Sequence, residues 1–147
     1  MGFETVSMSD IKIEKPAPLP IGDYVFQLLP GSEFRTNKYN GLEELNCSAA
    51  VADGDFAGRR VFWNYPDPTA VSKTGKPLTW SAQAMKKLEI ALGTDSLPNE
   101  NPKDYFNRVA TAAHNRFSAK LAAGNYTAPG ETEPRVEFQI FSVGPAA

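Results

Sequence analysis

At 147 residues, with 41% hydrophobic and 22% charged side chains, the chain has the size and composition of one folded domain rather than of a disordered segment. No run approaches the ~20 apolar residues of a membrane helix, and residues 1–15 lack the basic start and apolar block of a signal peptide, so a cytoplasmic protein without membrane contact is expected. A net charge of −2 excludes a globally basic binder of nucleic acid, and the single cysteine, Cys47, excludes an intrachain disulfide.

In chain order, residues 1–20 read as an arm, because Lys15-Pro16-Ala17-Pro18-Leu19-Pro20 favours extended backbone and cannot be helical. From Gly22 the pattern has period two. Tyr24, Phe26 and Leu28 alternate with Val25, Gln27 and Leu29, which predicts a first strand. Asn40-Gly41 is a turn signal. Leu45, Cys47, Ala49 and Val51 then alternate with Asn46, Ser48 and Ala50 in a second strand. After the turn-forming Asp53-Gly54-Asp55, a third strand runs from Arg59 to Tyr65, with Val61 and Trp63 on one face and Phe62 and Asn64 on the other.

A twelve-residue loop, Pro66 to Pro77, follows. Thr79 is placed to cap a helix on which Trp80, Ala84, Met85, Leu88, Ala91 and Leu92 share one arc, with Ile90 off it and Gly93 as the stop. Asn101, Pro102 and Asp104 open a second helix predicted over 102–113. Two strands close the chain, one on Phe117, Ala119 and Leu121, the other on Val136, Phe138 and Ile140. The order β-β-β-α-(α)-β-β predicts a mainly β (β plus α) fold, a small OB-like five-stranded barrel over residues 21–147 behind the arm of 1–20.

Enzymatic readings fail one by one. The one histidine, His114, falls at the end of the second helix, and Cys47 falls on the apolar face of its strand. One His and one Cys cannot make a His/Cys zinc site. Gly75-Lys76 matches the end of a P-loop, but Ala70 replaces its first glycine and Pro77 its Ser/Thr. Glu43-Glu44 would point to opposite faces of a strand, and Asp53/Asp55 fits a turn. No catalytic residue, metal or cofactor is expected.

What remains is cations interleaved with aromatics in the middle third. Residues 35–87 carry eight basic against five acidic side chains, +3, whereas 1–34 sum to −3 and 88–147 to −2. The predicted contacts are Phe34, Arg35, Lys38 and Tyr39 in the first loop, Arg59, Arg60, Trp63 and Tyr65 on the third strand, and Lys73 and Lys76 in the loop behind it. Cations follow phosphates and aromatic faces stack bases, the mixture that single-stranded nucleic acid needs. In an OB-fold the second and third strands and two hairpin loops carry such a surface.

The run Leu19-Pro20-x-Gly22-x-Tyr24, then Phe56-Ala57-Gly58-Arg59-Arg60-Val61-Phe62, then Trp80, Leu88 and Ala91-Leu92-Gly93, resembles small phage-encoded proteins of the DNA replication and recombination region. The resemblance covers roughly residues 18–95. It implies a single-stranded DNA-binding protein with an OB-like barrel in the host-cell cytoplasm, with single-stranded DNA as partner and replication or recombination proteins beside it. The chain departs from many such proteins in ending Ser142-Val143-Gly144-Pro145-Ala146-Ala147 without an acidic tail, which argues against recruitment through a tail. The alternative expectation is a non-enzymatic structural or assembly protein of a virion, or a protein–protein interaction module, with homo-oligomerisation open in either case.

Overall fold

A computed structural model describes residues 2–10, 19–124, 127 and 129–146. Most of the Pro-rich arm predicted for residues 15–20 lies outside the described residues; of it, Leu19 is buried and Pro20 exposed. Ahead of it, Gly2–Thr5 and Met8–Asp10 form short 3-10 turns without buried residues.

The strands are β1 (Gly22–Leu28), β2 (Glu33–Thr36), β3 (Glu43–Val51), β4 (Arg60–Pro66), β5 (Arg116–Ala123), β6 (Val136–Phe138) and β7 (Gly144–Pro145); helices α1 (Thr79–Leu92) and α2 (Pro102–Ala110) separate β4 from β5. The β plus α class read from the sequence holds. Two short strands, β2 and β7, add to the five predicted.

All pairings are antiparallel. The sheet runs β2-β3-β1-β5-β6, with β4 on the other edge of β3 and β7 on β5. The predicted barrel is not closed. Among the described residues β4 and β6 share no ladder; instead Trp63 of β4 stacks on Phe138 of β6, with ring centroids 4.3 Å apart. Side chains thus draw the two edges together where a backbone ladder would have sealed them. The core lies inside this curl, built from Phe26, Leu28, Leu45, Cys47, Ala49, Trp63, Tyr65 and Phe117 of the strands and Leu88, Phe106 and Val109 of the helices.

Helix α1 begins at Thr79 and not after it, and the residue before it, Leu78, offers no side-chain cap. The residue buried in its first turn is Ser81, whose hydroxyl donates to the Pro66 carbonyl at 2.6 Å. That bond turns the predicted arc, so Trp80 is 39% exposed rather than core. Gly93 closes the helix with φ of 68°, a conformation glycine adopts without penalty. Helix α2 starts as predicted: Asn101 Oδ1 accepts the Asp104 N–H and Pro102 follows it. It ends at Ala110, short of the predicted 113, because Asn115 Nδ2 donates to the Ala110 carbonyl and turns the chain into β5.

Candidate nucleic-acid interface

The two faces of the β3–β4 ribbon follow from alternation. Leu45, Cys47, Ala49 and Val51 of β3 point inward and are buried, as are Trp63 and Tyr65 of β4. The intervening residues form outward cross-strand pairs: Ala50 opposite Arg60, Ser48 opposite Phe62 and Asn46 opposite Asn64. Asn46 Nδ2 donates to Asn64 Oδ1 at 2.7 Å, which ties the two strands on the outer side. Arg60, Phe62 and Asn64 therefore stand about 6.6 Å apart along β4, two residues at about 3.3 Å each.

Two of the predicted contacts lie in the core. Trp63 is 6% and Tyr65 1% exposed, and neither ring can meet a base while the domain is folded. Trp63 is enclosed by Phe138, Phe117 and Tyr65, and Tyr65 lies parallel to Phe106 at 6.0 Å. Burial pushes the Tyr65 phenol far above its usual range and the Cys47 thiol up to about 12. Cys47 therefore carries no thiolate at neutral pH, the form a reactive cysteine needs. The exposed aromatic of β4 is Phe62, 61% accessible. Alternation requires that one of Phe62 and Trp63 face out, but not which one. The β3 partner decides it, because Trp63 pairs with buried Cys47 and Phe62 with Ser48.

The remaining predicted residues fall into three groups. Arg35 lies on β2 opposite Glu44, on the outward side, with Glu33 at 3.4 Å and its side chain still largely in solvent. Lys38 and Tyr39 are exposed in the turn between β2 and β3, where Asn37 Oδ1 accepts the Tyr39 N–H at 2.8 Å and Tyr39 is almost fully accessible. Phe34 points the other way, in the row of buried Leu45, and Lys103 Nζ stands 5.6 Å from its ring centroid. Arg59 is half-buried just before β4, with its carbonyl accepting the Val51 N–H, while Arg60 is exposed on the outer face. Lys73 and Lys76 are exposed in a small hairpin closed by the Val71–Pro77 bridge. This hairpin leaves the same end of the sheet as β2, because the Asp67 N–H donates to the Glu43 carbonyl.

A cavity of about 200 Å³ on the inward side of the β2 rim is lined by Phe34, Leu45, Met85 and Pro102, among others. Hydrogen bonds from the Thr69 hydroxyl and N–H hold the Asp67 carboxyl below its usual range. Among the described residues no three His, Cys, Asp or Glu side chains gather as a metal-binding set, and His114 is exposed beyond α2.

No family model, no curated protein and no solved structure matches this chain.

Proposed function

We propose that this chain is a sequence-tolerant, non-enzymatic single-stranded DNA-binding protein of phage DNA replication or recombination, working in the host-cell cytoplasm. The observation that carries the reading is the outward face of β3–β4, where exposed Phe62 lies between Arg60 and the Asn46–Asn64 pair. Phe62 presents a solvent-exposed aromatic ring at the centre of the β3–β4 ribbon. Beside a guanidinium it fits a base stacked on the ring with its phosphate on the cation. The side-chain amides of Asn46 and Asn64 offer hydrogen bonds to base edges without selecting one sequence. Arg35, Lys38 and Tyr39 extend the same mixture at one end of the ribbon, and Lys73 and Lys76 extend it through the following hairpin.

The test is fluorescence anisotropy of a labelled oligo(dT) of about 30 nucleotides, longer than the about 4–16 nucleotides one OB-type surface covers. With about four phosphates neutralised at about −0.7 each, log K should fall with log salt at a slope near −3. Affinity that does not change with salt, or no binding in low salt, removes the proposal and leaves an assembly or protein-interaction role. Competition with oligo(U) then reports the preference for DNA over RNA.

A further inference from the structure

Beyond the sheet, the structure places a second aromatic–cationic surface on α1. Trp80 and Phe141 lie side by side with ring centroids 6.0 Å apart, 39% and 45% exposed. Lys87 lies two turns along α1 from Trp80, and its Nζ donates to the Phe141 carbonyl at 2.7 Å, which fixes the segment carrying Phe141 against the helix. The hairpin with Lys73 and Lys76 leads directly into Trp80. Residues 68–88 contain Lys73, Lys76, Lys86 and Lys87 and no acidic residue. Lys86 is held by Glu89, so its charge is partly offset; Lys73, Lys76 and Lys87 are exposed.

We propose that the Trp80–Phe141 pair, flanked by Lys73, Lys76 and Lys87, is a second stacking site for the same single strand after it leaves the β3–β4 face. This rests on the single-stranded DNA reading above. The charge argues for the occupant: Trp80 lies within a carboxylate-free stretch of four lysines and Phe141 is held beside Lys87, a set that complements a polyanion carrying flat π-faces, and the hairpin lysines bridge from the Pro66 end of β4 to Trp80. The contact makes the footprint longer than the sheet alone, so short and long oligonucleotides respond differently to substitution.

The experiment uses the full chain with oligo(dT) of about 6 and about 20 nucleotides, spanning the range of site sizes seen in such folds. Trp63 is enclosed and Trp80 is half-exposed, so tryptophan quenching on binding reports Trp80. The proposal predicts quenching by the long oligomer that is lost in Trp80→Phe. It also predicts at least about fivefold weaker binding of the long oligomer by Trp80→Ala with Phe141→Ala, as expected for one lost stacked base. Lys87→Gln, an exposed change outside the sheet surface, should flatten the salt slope of the long oligomer by about 0.7 and leave that of the short one unchanged. That variant keeps the test open if the aromatic double variant does not fold. Wild-type affinity for the long oligomer in both sets of variants, with Phe62→Ala still weakening it, overturns the second site and leaves the sheet reading standing. Loss of all oligonucleotide binding in the wild type, or a preference for anionic lipid vesicles over oligo(dT), overturns both.

Discussion

The two faces of the β3–β4 ribbon are made from alternate residues of the same strands, yet they have opposite fates. On the inner face Trp63 and Tyr65 join Phe106, Phe117 and Phe138 in a continuous set of ring contacts, some stacked and some edge-on. On the outer face Phe62 has only Ser48 opposite it and solvent above. An aromatic residue next to a basic one says nothing by itself about binding; its parity on the strand decides whether the ring is part of the core or available to a ligand. The same comparison separates Arg60, on the outer face, from the enclosed tryptophan three residues on.

The largest expected difference is in stability. Trp63→Ala should cost about 3–5 kcal/mol, the range for removing a large buried aromatic, whereas Phe62→Ala should stay within about 0.5 kcal/mol, as surface changes do. Urea melts of the two variants measure this directly, and similar losses in both would end the two-face description. Next is affinity. Phe62→Ala should weaken oligo(dT) binding by about 1–3 kcal/mol, the value of one stacked base, with an unchanged circular dichroism spectrum. A folded variant that binds like wild type would move the contact elsewhere.

A smaller effect sharpens the description of the inner face. The Tyr65 hydroxyl is buried without a hydrogen-bond partner among the described residues. Removing an unpartnered buried polar group is neutral or favourable, so Tyr65→Phe should change stability by less than about 1 kcal/mol in either direction. A loss above about 2 kcal/mol in the melt would mean that this hydroxyl is hydrogen-bonded inside the core.

The smallest effect belongs to neither face. Glu100 accepts from Arg108 Nε at 2.8 Å and from the Leu97 N–H, which hold its carboxyl down at about 2 from its ordinary 4.5. The folded value is the lower one, so this contribution is complete above about pH 4.5 and is lost as pH falls toward 2. Glu100→Gln should flatten the acid limb of a plot of urea midpoint against pH in that window. Parallel limbs for wild type and variant would show that the pair adds nothing to stability.

Much of the fold was legible because the relevant forces act over a few residues. Period-two alternation marked β1, β3, β4, β5 and β6. Asn101-Pro102 and Gly93 marked ends of the helices through backbone chemistry that needs no distant partner. The site was less legible. Arg60, Lys38, Tyr39, Lys73 and Lys76 stand in solvent, as polar or turn positions imply, while Trp63 and Tyr65, which the sequence offers to a ligand, belong to the core and Phe34 turns inward. The exposed rings of Phe62, Trp80 and Phe141 leave no mark on the sequence, because composition cannot tell an outward aromatic from an inward one.

The sequence by itself determined which segments become strands and helices, and that charged and aromatic residues crowd the middle of the chain. Tertiary structure decided where those segments meet. Asn107 on α2 receives the Gly31 and Ser32 N–H groups at 2.8 Å and donates to the Ser32 carbonyl, joining positions 75 residues apart. Phe138 meets Trp63 in the same way, leaving the sheet open but its edges in contact. Such contacts join residues far apart along the chain, and a local pattern carries no record of them. Only packing the whole core turns one ring of each alternating pair inward and leaves the other free.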